Sequence, residues 1–114
     1  MSLMKVREMD KMLQTREEPI LTLYLCEQEE RDGYERYLDI AIQLQPKEGW
    51  EILEEITLSR EDAQRVAERG RTELFLLFGI KDLRSRPGYP KGPYYWVGEA
   101  VWRAIRETIE EGAS

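Results

Sequence analysis

The sequence predicts an α+β domain: a four-stranded, antiparallel, meander-type sheet with helices packed mainly on one face. Three observations predict it. Residues 34–45 alternate with the two-residue period of a half-exposed strand. Leu38, Ile40, Ile42 and Leu44 fall on one side, and Tyr37, Asp39, Ala41, Gln43 and Gln45 on the other. Asp32-Gly33 is a turn signal that joins this strand to the apolar run before it as a hairpin. The flanking segments change to a helical period.

At 114 residues the chain fits a single domain, 1–114. Residues 1–15 read as an N-terminal helix, with Leu3, Val6, Met9 and Leu13 at helical spacing and Glu17-Glu18-Pro19 closing it. Residues 19–80 hold the sheet and one short helix. Ile20 to Glu27 is the first strand, apolar on both parities, which predicts burial on both faces or a central position, and Gln28 to Gly33 follows as a polar loop. Trp50 to Leu58 is the third strand, where Glu54 breaks the apolar phase and predicts a bulge or a frayed start. Ser59 and Asp62 form a capping-box pair that opens a helix to Arg69, with Gly70 as its stop. Thr72 to Ile80 is a dense apolar run, read as the fourth strand. A buried helix is the competing assignment, because periodicity does not separate the two over so short a stretch. Residues 81–94 form a loop rich in proline, glycine and arginine. Residues 95–111 form a C-terminal helix with Val101, Ala104, Ile105, Thr108 and Ile109 turned inward.

Composition closes most catalytic classes. The chain has no histidine and one cysteine, which removes the Ser-His-Asp triad, the Cys-His pair, imidazole ligation and a structural zinc site. There is no phosphate-binding glycine loop, since Gly88 and Gly92 lack the Lys-Ser/Thr that must follow. No cofactor and no metal site are expected, and the protein is read as noncatalytic. Cys26 reads as a small buried hydrophobe, and its solitude fits a reducing compartment, so a cytoplasmic location is expected. No apolar run approaches the ~18 residues that would cross a bilayer, so no membrane partner is expected.

Three groups of carboxylates could in principle carry chemistry. Glu27, Glu29, Glu30 and Asp32 read as a solvated hairpin turn, without the ligand spacing of a calcium loop. Glu48, Glu51, Glu54 and Glu55 lie beside the third strand, and Asp39 on the polar face of the second. A carboxylate enzyme would need two of these to meet with separated pKa values.

Net charge is −6, which disfavours nonspecific attraction to nucleic acid. The charge is uneven. Residues 1–79 carry −7, residues 80–98 carry +3 and residues 99–114 carry −2. The basic stretch interleaves Arg84, Arg86 and Lys91 with Tyr89, Tyr94, Tyr95 and Trp96. Such a mixture suits a protein interface, where Tyr, Trp and Arg are favoured anchors. It also suits single-stranded nucleic acid, with cations on phosphates and rings on bases. Alternatively, the aromatics cover the core at the start of the last helix.

The segments Arg36-Tyr-Leu-Asp-Ile-Ala-Ile42 and Glu55-Ile-Thr-Leu-Ser-Arg-Glu-Asp62 resemble the single-stranded-DNA-binding transcriptional coactivator family (positive cofactor four) and its PUR-repeat relatives, over residues 36–69. The resemblance implies an antiparallel meander leading into a helix, dimerisation, and DNA binding on the sheet face that here carries Tyr37. The leading expectation is a noncatalytic binding or assembly module, self-associating as a homodimer or taking a protein partner. Its site would be Arg84, Arg86, Tyr89, Lys91, Tyr94, Tyr95, Trp96 and Tyr37. The alternatives are single-stranded nucleic-acid binding by the same loop, and a small carboxylate-dependent enzyme.

Overall fold

A hairpin forms the centre of the molecule. Strand β1 (Leu21–Asp32) pairs antiparallel with β2 (Glu35–Gln43) from Tyr24↔Gln43 to Asp32↔Glu35. Two residues, Gly33 and Tyr34, make the turn, and Gly33 takes φ +67° at its first position. Tight two-residue hairpins need a glycine there to match the strand twist. The segment Gln28–Asp32, expected as a loop, is therefore paired strand. The tight turn prolongs the ladder, and polar side chains are tolerated where they stand at the open end of the sheet. The computed structural model describes residues 20–84, 88, 89 and 92–113. The helix expected over residues 1–15 lies outside them.

The sheet is not a meander. Strand β3 (Glu51–Leu58) pairs antiparallel with β1, not with β2. Residues 44–50 carry the chain across β1 to its far side, so β1 is a central strand paired along both edges. Pairing skips one residue between Leu25↔Glu54 and Cys26↔Ile52, so Leu53 is the bulged residue expected near Glu54.

Two further expectations need correction. Thr72–Ile80 is not a strand. Helix α1 (Arg60–Arg69) ends at Gly70 (φ +86°), and a second helix, α2 (Arg71–Leu77), follows it directly, ending before Gly79 (φ +84°). Leu74, Phe75 and Phe78 are buried and Leu76 is exposed, a helical spacing that strand alternation cannot produce. The C-terminal helix, α3, spans Glu99–Ala113, not residues 95–111. Tyr94–Val97, aromatic and β-branched, form a short fourth strand, β4, parallel to β2. The result is a mixed sheet in the order β3-β1-β2-β4 with three helices.

The helices pack on one face. Leu23, Leu25, Leu38, Ile40, Ile42 and Leu58 of the sheet meet Ala63, Val66, Leu74, Phe75, Val101 and Ile105 in a single core. The capping box read from the sequence is present at α1: Ser59 Oγ accepts from Asp62 N–H (3.1 Å), and Asp62 Oδ2 accepts from Ser59 N–H (3.2 Å). Among the described residues no helix is long and apolar enough to cross a membrane.

Candidate functional site

Among the described residues of the basic, aromatic stretch, strand alternation in β4 divides the rings between two faces. Tyr95 turns to the helix side, packs edge to face on Phe75 (5.5 Å between centroids) and directs its hydroxyl to the Arg84 carbonyl (3.5 Å). Tyr89 joins the same side, packed against the core with the Arg36 guanidinium 5.9 Å above its ring. Arg84 is paired with Asp82 at 2.8 Å. Arg86 and Lys91 lie outside the described residues. Tyr94 and Trp96 point the other way, onto the sheet face that no helix covers. Of the residues singled out from sequence, the structure thus brings together Tyr37, Tyr94 and Trp96, and places Tyr95, Tyr89 and Arg84 elsewhere.

That open face is layered by the register. One rung is Ile52, Cys26, Ala41 and Trp96; the next is Gln28, Asp39 and Tyr94; beyond it Glu30 stands opposite Tyr37. Cys26 and Ala41 are fully buried although they belong to this face. The crossover covers them. Its turn is closed by Trp50 N–H to the Lys47 carbonyl (3.1 Å), and Trp50 then meets Trp96 edge to face at 5.8 Å. Such an aromatic pair contributes about 0.5–1.5 kcal/mol beyond its area. Cys26 is fully buried, and that burial pushes its thiol pKa up.

The uncovered end of the face is acidic and aromatic. Tyr37 and Tyr94 meet edge to face at 5.5 Å, with Asp39 on the rung beside Tyr94. Desolvation raises the Asp39 pKa above the ordinary carboxylate range, and the nearby Glu30 raises it further. The Tyr37 phenol is raised by the same desolvation and then by Glu30, Asp39 and Asp32. The corner is therefore a site of negative potential lined by two rings, suited to a cation that would meet carboxylates and aromatic surface together. Among the described residues no group of three or more acidic or sulfur side chains could hold a metal ion.

Both sheet edges are protected against strand addition. The outer strand β3 carries Glu51, Glu54 and Glu55 and the bulge at Leu53. The outer strand β4 has four residues, and Arg71 donates to the Tyr95 carbonyl at 2.6 Å.

Asp39 was visible in the sequence as a polar-face residue, but Glu30, Trp50 and Tyr94 were not assigned to that face. The alternation of Tyr94, Tyr95, Trp96 and Val97 was the available signal. Read as a strand, it divides the rings between two faces. Compared with protein-family models, with curated proteins and with solved structures, the chain finds no match.

Proposed function

We propose that the protein is a noncatalytic assembly module that associates with itself, the acidic aromatic corner around Tyr37, Asp39 and Tyr94 of one copy receiving the basic loop of another. The observation that carries this reading is the opposite sign of two neighbouring features. The corner gathers Glu30, Asp32 and Asp39 about two rings, while residues 80–98 of the sequence carry +3. Tyr94 closes the basic stretch in the sequence and stands in the corner, which supports pairing of the two features between copies. A two-fold arrangement then engages both copies reciprocally. Protected edges direct association to the face rather than to sheet extension.

The sign of the corner favours a cationic partner over nucleic acid, whose phosphates it repels. The test is a charge swap read by sedimentation. Arg84→Glu and Asp39→Lys should each shift the protein towards monomer, and the double swap should restore association. If both single variants sediment as the parent protein does, the corner is not the contact. A second reading, carboxylate catalysis, draws on Asp39, whose carboxyl is raised by desolvation and then by the nearby Glu30. It requires a substrate-sized enclosure above Asp39, and mapping that corner with small-molecule fragments by nuclear magnetic resonance tests for one.

A further inference from the structure

Strand β3 stands at the edge of the sheet with little over it. Every residue from Glu51 to Glu55 is exposed, although the strand pairs with the central β1. The bulge at Leu53 shifts the alternation, so Ile52 stands opposite Cys26 on the open face instead of turning to the helices. There it is 51% exposed. Ile20, which precedes the Leu21↔Leu58 pair, falls on the same face by alternation with Thr22 and Tyr24, and it is 56% exposed. Six residues of β1 separate the two isoleucine rungs, about 20 Å along the strand. Between them Glu55 stands opposite Tyr24. None of Glu51, Glu54 and Glu55 pairs with a cation among the described residues.

The chain carries a segment that matches this surface in length, pattern and charge. Residues 1–19 lead into Ile20, and the apolar spacing over 1–15 predicts a helix about 20 Å long. Residues 16–19 span up to about 14 Å, enough for that helix to fold back over the open face. It then runs antiparallel to β1, and its hand decides which flank meets β3. Seen from the open face with β1 pointing up, β2 and β4 lie to the right of β1 and β3 to its left. A right-handed crossover from β2 through the helices to β4 requires this hand. With Leu3, Val6, Met9 and Leu13 set on the sheet, a right-handed helix running down that view carries Lys5 on its left, towards β3, and Arg16 follows three turns later. Asp10 falls on its right, away from the glutamates, and Lys11 points to solvent.

We infer that residues 1–15 dock on the open face of β1 and β3 of their own chain as an amphipathic helix. The apolar stripe covers Ile20, Tyr24 and Ile52, with Leu13 towards Ile20 and Leu3 towards Ile52, and Lys5 lies over Glu55. The tether selects this occupant, because a short linker holds the segment at about millimolar effective concentration, above that of a free partner. The docked helix lies beside β3, and the Tyr37–Tyr94 corner lies beside β4, so the inference is independent of the assembly reading.

The test is amide hydrogen exchange on the 15N-labelled full chain, read by nuclear magnetic resonance, together with methyl–methyl contacts on a methyl-labelled sample. Amides of residues 6–13 should exchange at least about tenfold more slowly than in an unfolded chain, and methyl contacts should join Leu13 to Ile20 and Leu3 to Ile52. In a mixture of labelled and unlabelled chains these contacts should stay within one chain. Contacts between chains would give the surface to a second copy and overturn docking within the chain. Ile52→Glu should lower the protection about fivefold or more, and Leu76→Glu, at a similarly exposed position on α2, should leave it unchanged. Lys5→Glu should lower it about twofold or more, and adding Glu55→Lys should restore it, whereas Lys11→Glu should have no effect. Exchange of residues 6–13 at the unfolded rate overturns the proposal, as do equal losses in Ile52→Glu and Leu76→Glu. Should Ile52→Glu not fold, equal losses in Lys5→Glu and Lys11→Glu overturn it independently.

Discussion

Tyr37 and Tyr94 meet edge to face, 5.5 Å between centroids and 86° between planes, across the parallel pairing of β2 with the edge strand β4. One ring belongs to the best-patterned strand of the sequence, the other to a segment with the composition of a loop. Their contact ties β4 to the sheet beyond its four residues of pairing. A double-mutant cycle on Tyr37→Ala and Tyr94→Ala should return a coupling of about 0.5–1 kcal/mol in chemical denaturation, towards the lower end for an exposed pair. Strict additivity would show that the rings do not support each other.

Asp39 should make stability depend on pH in an unusual direction. Its folded-state pKa is raised, by desolvation first and by Glu30 second. The native state therefore holds the Asp39 proton more tightly than the unfolded chain. Its contribution is most favourable below the ordinary aspartate range, about pH 4, and is lost as pH rises through the raised folded value. Asp39→Asn should be more stable than the parent at pH 7, and the difference should vanish near pH 3. Denaturation midpoints at the two pH values check this; an equal difference at both removes the electrostatic explanation.

The assignment of residues 71–77 to a helix has a direct mutational signature. Leu74 is fully buried and Leu76 is 43% exposed, two residues apart. In a strand they would share a face; in a helix they lie on different sides. Leu74→Lys should unfold the protein or cost several kcal/mol, and Leu76→Lys should stay within about 0.5 kcal/mol of the parent. Equal losses at the two positions would return the segment to a strand.

Legibility followed the strength of local signals. The β1–β2 hairpin, the bulge in β3 and the capping box at Ser59 were readable because each rests on a few adjacent residues with one physical role. The Thr72–Ile80 run was not, since Leu74, Phe75 and Phe78 fit a buried strand or a buried helix equally until tertiary packing decides. Pairing order was also beyond the sequence. Nothing in residues 44–50 shows that they cross β1; only the pairing of β3 with the far edge of β1 does. The candidate site was half legible. Tyr37, Asp39 and Gln43 were placed on one face by parity. Tyr94 and Trp96 joined them only once β4 paired with β2, while Arg84 pairs with Asp82 instead.

Sedimentation velocity on the full chain, at low salt and at high salt, tests the assembly reading most directly. The account predicts a dimer at tens of micromolar at about 0.05 M salt that dissociates at about 0.5 M, where charges are screened beyond a few ångströms. It predicts a monomer for Asp39→Lys at either salt. A parent protein that remains monomeric at low salt would contradict the central claim, and so would a dimer indifferent to both salt and Asp39→Lys.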